Sequence, residues 1–392
     1  KTSVKKKKLP AMELFSALVK ERAETGRIYI MNVDHSNDHS SFKDKVYMSN
    51  LCQEITLPTK PLTHIDDPEG EIALCILSAI NVGVIKDLQD LEELCELAVR
   101  ALEEIIDYQN YPIKAAEIST KARRSLGIGY IGLAHYLAKN KVKFDDPKSW
   151  QLVHDLTEAF QYYLLKASNK IAKERGACDY FDRTKYSDGI LPIDTYKKDV
   201  DGIVENNLKY DWDTLRKDIK LHGLRHSTLS AQMPSESSSV VSNATNGIEP
   251  PRGYLSVKKS KKGPLKQIVP QYQSLKAHYT LLWDMPSNEG YINIVAVMQK
   301  FFDQAISGNW SYNPTHFDNN EVPMSVMIKD LLSTYKLGWK TSYYQNTYDY
   351  KTDPSEMIDE PAHSLGWHDN QPEVKPVTLA NEEDETCDAC AI

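Results

Sequence analysis

Glycine is scarce in this chain of 392 residues, with 17 Gly beside 19 Pro, which excludes a collagen repeat or a low-complexity polymer. Cysteine is scarcer still. Six thiols cannot form a disulfide scaffold for a chain this long, so any closely spaced pair points to redox chemistry or metal ligation. No run approaches eighteen consecutive apolar residues, and the opening lysines, Lys1 and Lys5 to Lys8, lead into Pro10 and a mixed stretch over 11–26 instead of an apolar signal core. No internal repeat is found. These absences lead to the expectation of an intracellular, cytoplasmic protein with neither a membrane nor a nucleic-acid partner.

The composition that remains is that of a globular chain, 41% hydrophobic and 26% charged, long enough for one large domain or two to three smaller ones. The net charge of -8 is unevenly spread. From Gln345 to Ile392 twelve Asp and Glu face two Lys, so the body is close to neutral and the end is acidic. Four prolines and few aliphatics over 345–392 predict a solvated flexible tail that buries too little surface to offset its ordering entropy. It closes on Cys387-Asp-Ala-Cys390.

Apolar residues at three- and four-residue spacing predict helices over 11–24, 88–109, 118–139 and 150–175. Shorter runs at 27–33, 51–57 and 291–297 read as strands, and the alternation predicts an α/β architecture. A further amphipathic stretch covers 326–341. Order is expected to end near Asn346.

Several motifs carry chemistry. Gly127-Ile-Gly129-Tyr-Ile-Gly132 fits the spacing of a dinucleotide-binding turn, but the residues before it read as a basic helix and not a strand, which favours close backbone packing. Cys387 and Cys390 suit a dithiol cycling through a disulfide; half of a zinc site is the other reading, though no second such pair exists. Pro234-Ser-Glu-Ser-Ser238 would cap a helix through Ser235, and such a terminus also binds phosphate. Asn50, Cys52 and Glu54 alternate, which in an extended segment puts an amide, a thiol and a carboxylate on one face; a structural Cys is the plainer alternative. Cys75, Cys95 and Cys178 read by periodicity as core thiols. Tyr343-Tyr344 is an adjacent pair that chance supplies in a chain with 22 Tyr.

Taken together, Ser49-Asn-Leu-Cys-Gln-Glu54, Gly70-Glu-Ile-Ala-Leu-Cys75, Met233-Pro-Ser-Glu-Ser-Ser238, residues 243–253, Tyr343-Tyr344 and the terminal dithiol resemble the catalytic, large subunit of aerobic class I ribonucleotide reductase. Trp212 to Leu215, Gly223 to His226 and Ser230 to Pro234 are similar to the same family. The similarity begins near Ala11 and runs to Thr347, then returns at the last six residues. Family members are about twice this long, so the resemblance implies a C-terminal half, as from a split large subunit: the C-terminal half of a ten-stranded α/β barrel with its finger loop, plus a flexible C-terminal tail. The expected divisions are a basic extension over 1–10, the catalytic half-barrel over 11–344 and an acidic redox tail over 345–392.

The resemblance also implies roles. Cys52 would carry the thiyl radical that takes the 3′ hydrogen of a ribonucleoside diphosphate, with Glu54 as base at the 3′ hydroxyl and Asn50 bonded to the ribose hydroxyls. Cys75 would be one of two reducing cysteines, its partner lying in the missing half. Pro234, Ser235, Glu236, Ser237 and Ser238 would hold the diphosphate, Tyr343 and Tyr344 would relay the radical inward, and Cys387 and Cys390 would exchange with thioredoxin or glutaredoxin. The terminal thiols are spaced more closely than is frequent in the family. No cofactor or metal is expected in this chain itself: a metal-containing small subunit would supply the radical, and allosteric ATP and deoxynucleotide sites would lie in the N-terminal half. Rival readings are a cobalamin-dependent or glycyl-radical relative, which the tyrosine pair disfavours, and a non-catalytic scaffold or redox-interaction fragment, which the intact thiols disfavour.

Overall fold

The structure, a computed structural model, describes residues 6–260 and 263–349. Of the expected redox tail, the part from residue 350 onward, with Cys387 and Cys390, lies outside the described residues. The first residues of the tail are described: Gln345–Thr347 is a strand paired with Trp310–Tyr312, so the division expected at 344/345 falls at the start of a paired element.

In chain order the elements are α1 (Ala11–Thr25), β1 (Ile30–Met31), α2 (Val33–Asp38), β2 (Ile76–Asn81), α3 (Asp90–Tyr108), α4 (Lys114–Arg123), β3 (Leu126–Ile131), α5 (Leu133–Lys139), α6 (Pro147–Arg175), α7 (Pro192–Thr195), α8 (Trp212–His222) and α9 (Glu236–Val241). Then follow β4 (Leu255–Ser260), β5 (Gly263–Ile268), α10 (Tyr272–Leu275), α11 (Glu289–Gln299), β6 (Trp310–Tyr312), α12 (Met324–Lys336), β7 (Thr341–Ser342) and β8 (Gln345–Thr347).

A run of parallel neighbours forms the inner layer. β2 lies parallel to β3, from Ile76 opposite Leu126 to Asn81 opposite Ile131. Parallel bridges Ile128–Ser230 and Gln232–Ile306 carry the run onward to residues 228–232 and 304–308. Tyr343 N–H then donates to the Gly308 carbonyl at 2.8 Å, and β6 pairs in parallel with β8. β1 closes the far side, antiparallel to β7. The pieces between the bridges are too short and too irregular to form continuous ladders, because polar side chains take over several of their backbone groups.

Helices cover this layer. α3 turns Leu91, Cys95, Val99, Leu102 and Ile106 inward, and α6 buries residues such as Phe160, Leu164 and Ile171 along its length. Asp146 caps α6 by accepting from Lys148 N–H at 2.9 Å, with Pro147 at the first helical position. The expected helices over 11–24, 88–109 and 150–175 are present to within a few residues.

Three expectations fail outside residues 50–57. The stretch 291–297 is helical, part of α11, in which each residue from Gly290 to Gln299 is buried; without an exposed face its periodicity does not separate helix from strand. The helix expected over 118–139 is interrupted by β3, buried at all six positions, and a parallel strand buried on both sides carries no alternation to betray it. Residues 27–33 contribute only the two residues of β1 before α2 begins.

The glycine motif is explained by β3. Gly127 to Ile131 is strand and not the turn before a helix. A Cβ at Gly127 would stand 2.6 Å from Leu77 Cδ2, and Gly132, at φ 80°, backs onto Asn81 and Gly83. Protein atoms fill the space a phosphate would need, so the packing reading holds. Among the described residues no helix is long and apolar enough to cross a membrane.

Candidate active site

The site is built around residues 50–56, which reach the inner layer beside residues 304–307. They do not run extended. Gln53 N–H donates to the Asn50 carbonyl at 3.2 Å and Ile55 N–H to Asn50 Oδ1 at 3.1 Å, with Gln53 at φ 70°. This is a turn closed by the Asn50 side chain, an arrangement for which asparagine is suited, and it corrects the expected strand over 51–57. A left-handed glutamine is uncommon and stores strain of about 1 kcal/mol or more.

The turn is pinned to the segment 304–307. Ala305 N–H donates to the Glu54 carbonyl at 3.0 Å, and Thr56 N–H to Gln304 Oε1 at 3.2 Å. Ser307 Oγ donates to the Cys52 carbonyl and to Glu54 Oε2, the latter at 3.2 Å. The three residues expected on one face are thus brought together by a turn instead of a pleat. Glu54 is 2% exposed; burial pushes its carboxyl above the usual range, against hydrogen bonds from Asn50 and Ser307 that stabilise the anion.

Tyrosines meet the loop. Tyr343 O–H donates to Cys52 Sγ at 3.5 Å. The Tyr343 and Tyr344 rings lie 4.2 Å apart at 55°, and Tyr29 packs on both, 4.7 Å from Tyr343 and 5.3 Å from Tyr344. Burial, then the contacts with Cys52 and Tyr344, pushes the Tyr343 phenol well up; burial and Tyr344 push Tyr29 up to about 12. Both phenols are therefore protonated near neutral pH. Arg22 fixes the pair from behind by donating to the Tyr343 carbonyl at 2.9 Å and the Tyr344 carbonyl at 3.3 Å while stacking on Trp310.

Cys75 immediately precedes β2. It is partly exposed, and its sulfur accepts from Gln304 Nε2 at 3.5 Å. Burial pushes the thiol up to about 12, and the nearby Glu54 charge adds to the shift. Cys75 is partly buried at the edge of the small cluster of Phe42, Val46 and Leu57, whereas Cys95 and Cys178 are buried core thiols. Of the four described cysteines, Cys52, Cys75, Cys95 and Cys178, none is in a disulfide. No group of three or more His, Cys, Asp or Glu among the described residues is placed to hold a metal ion.

A thiol touched by a phenol, a buried carboxylate beside it and a second thiol just before β2 form a set suited to hydrogen-atom transfer and dithiol redox chemistry. The family model of the ribonucleotide reductase barrel domain matches residues 1–345. The chain belongs to that family. Its parallel inner layer is accordingly part of the reductase barrel, with the finger loop at 50–56. Among the curated proteins it is similar to the ribonucleoside-diphosphate reductase subunit alpha of Haemophilus influenzae, 59% identical over 91% of this chain and 48% of that protein. It is likewise similar to subunit alpha of Escherichia coli reductase 1, 57% identical over 91% and 47%, and to subunit alpha of phage T4, 44% over 88% and 46%. The chain spans about half the length of the curated relatives it matches.

The remaining expected site of this reductase barrel lies at α9. Ser235 occupies the position before the helix, but its hydroxyl donates to the Met233 carbonyl at 3.1 Å and makes no cap bond. Its side-chain capping role is thereby corrected. Ser238 Oγ turns back to the Ser235 carbonyl at 3.2 Å. Pro234, Ser235, Glu236, Ser237 and Ser238 form the segment leading into the helix and its first turn, with Gly247 N–H on Ser239 Oγ at 3.2 Å closing the following loop against it. Sequence reasoning missed Gln304, Ser307, Tyr29 and Arg22. Their partners lie far away in the chain, and the resemblance, which spans Arg22, Tyr29, Gln304 and Ser307, assigned none of them a role.

Proposed function

We propose that this chain is the C-terminal catalytic part of a ribonucleoside-diphosphate reductase large subunit, reducing ribonucleoside diphosphates to 2′-deoxyribonucleoside diphosphates. The observation that carries the reading is the Tyr343 hydroxyl on Cys52 Sγ with Tyr344 packed behind it. An oxidised Tyr343 takes the Cys52 hydrogen, so that the S–H bond breaks and the phenolic O–H forms. The resulting thiyl takes the 3′ hydrogen of the ribose, and Glu54, raised toward neutrality by burial, accepts the 3′ hydroxyl proton. Asn50 holds the ribose hydroxyls. The 2′ hydroxyl leaves as water, taking a proton from one of two thiols, Cys75 and a cysteine outside this chain. The two thiols together surrender two electrons and two protons to the substrate as they close a disulfide. Cys52 returns its hydrogen to the 3′ carbon, Glu54 returns the proton to the 3′ oxygen, and the Cys52 thiyl so re-formed takes the Tyr343 hydrogen, which reoxidises the phenol. The segment 234–238 binds the diphosphate.

The reading includes partners. β3 is buried throughout, yet β2 beside it is buried only at Ile80, with Leu74 and Leu77 exposed. Parallel sheets are normally covered on both faces, so the β2 side suits the N-terminal half of a large subunit. α12 exposes Met324, Leu332 and Tyr335 and lines a groove of about 730 Å³ with Val326, Lys329 and Leu337; this face suits docking of a radical-generating, metal-containing small subunit. Cys387 and Cys390 would re-reduce the Cys75 disulfide and pass the electrons on from thioredoxin or glutaredoxin.

The test is Tyr343→Phe in the chain assembled with an N-terminal half and a small subunit. It should retain nucleotide binding and lose deoxynucleotide formation; near-normal turnover would refute the pathway.

A further inference from the structure

Gln304 is 0% exposed and every polar atom of its carboxamide is used. Nε2 donates to the Leu126 carbonyl at 2.9 Å and to Cys75 Sγ at 3.5 Å, while Oε1 accepts from Thr56 N–H at 3.2 Å. Its backbone is held as well: N–H bonds the Ser230 carbonyl at 3.0 Å, and its own carbonyl accepts from Lys340 Nζ at 2.7 Å and Gln299 Nε2 at 2.9 Å. The backbone at Gln304 is held on both sides, so a change at the sulfur is taken up by the side chain.

We propose that Gln304 is a positioning residue coupling Cys75 to the finger loop, its one carboxamide donating to the thiol and accepting from the Thr56 amide, so that the state of the sulfur is felt at the loop carrying Cys52 and Glu54. The proposal rests on the reductase reading for its meaning, although its geometry stands alone.

The physics follows from what sulfur accepts. A thiol is a weak acceptor, a thiolate a strong one, and a blocked or disulfide-bonded sulfur is displaced and weak again. An amide N–H drawn onto a thiolate polarises its own carbonyl, which strengthens the bond from Thr56 N–H. Donation from Gln304 favours the ionised sulfur against the burial that opposes it. The loop is therefore held most tightly when the Cys75 sulfur is ionised, and less tightly once that sulfur is blocked or oxidised.

The experiment uses the assembled holoenzyme and two readouts that need no turnover. Gln304→Met keeps the length and removes donors and acceptor. Alkylation of Cys75 by iodoacetamide, mapped by peptide mass spectrometry across pH, should slow several-fold at pH 9, toward the tenfold that one pKa unit represents. Cys95 and Cys178 serve as internal references and should not change. Hydrogen exchange at Thr56 should quicken. In the unsubstituted protein, carboxamidomethylation of Cys75 should by itself quicken exchange at Thr56, a measurement that stands even if the variant fails to fold. An unchanged Cys75 pH profile would reduce Gln304 to a packing residue, and unchanged Thr56 exchange on blocking Cys75 would overturn the coupling. Both effects present without deoxynucleotide formation by the unsubstituted holoenzyme would refute the reductase reading and leave the coupling intact.

Discussion

Helix α6 buries Phe160, Leu164, Leu165 and Ile171 against α3 and α11, whereas the turn at 50–55 buries little hydrocarbon and hangs on hydrogen bonds to residues 304–307. The outer layer is stabilised by many side chains that each contribute a share, roughly 25 cal/mol per Å² of apolar surface removed from water. The loop depends on single atoms worth about 1 kcal/mol apiece. The first arrangement tolerates change in stages. The second places a thiol to within a hydrogen bond of its phenol and loses that placement when one donor is removed.

The difference is tested hardest at Asp303, which lies in the inner layer yet should behave like core. Its buried carboxylate accepts from Leu229 N–H and Ser230 N–H at 2.9 Å and from the Thr228 and Tyr186 hydroxyls at 2.8 Å. Asp303→Ala strands all of them and should cost about 3–5 kcal/mol, read as a shift of the denaturation midpoint. A cost below 1 kcal/mol would show that the inner layer is loosely held throughout.

Leu164→Ala removes a fully buried side chain of the outer layer and should cost about 2–4 kcal/mol. The Cys52 contact with Tyr343 should survive, monitored by Cys52 alkylation; a matching loss there would erase the division between the layers.

Glu103 links the layers, accepting from Arg124 Nε at 2.7 Å, Arg225 Nε at 2.6 Å and His226 Nε2 at 3.0 Å. Although burial opposes it, those partners hold the carboxyl well below its usual range. A depressed folded pKa contributes stability that is present above the unfolded value and lost as pH falls through it toward the folded one. Glu103→Gln should cost about 2 kcal/mol at pH 7, and its deficit should shrink when the melts are repeated in increasingly acidic buffer. A deficit independent of pH would rule out the ionic account.

The smallest change in stability, about 1 kcal/mol, is expected for Ser307→Ala, with a disproportionate effect on chemistry. Loss of the hydroxyl at 3.2 Å from Glu54 removes support for the anion, so the carboxyl rises further and less of it is ionised at a given pH. The acid limb of turnover should move to higher pH. An unmoved limb would mean that Glu54 is not the base.

Much of the outer layer was legible because α3 and α6 keep one face in water, leaving the helical period visible. α11 and β3 were misread for the converse reason: burial on all sides removes the polar phase that distinguishes three- from two-residue repeats. At the site, the residue types were legible from the resemblance, but their geometry was not. The alternation of Asn50, Cys52 and Glu54 suggested a pleat, and only the left-handed Gln53 and the Asn50 side chain turn it into a loop.

The sequence by itself determined which groups were available: a thiol, a carboxylate and an amide within five residues, a second thiol, two adjacent phenols, and an acidic end with its dithiol. It also determined the exposed-face helices, since those follow from local spacing. The tertiary structure decided what touches what. Gln304 meets Thr56 across 248 positions and Ser307 meets Glu54 across 253, separations at which neither propensity nor period carries information. The sulfur of Cys52 lies 3.5 Å from a phenol 291 residues away because a parallel layer of short strands, joined through buried polar side chains, brings two distant stretches of the chain to one place.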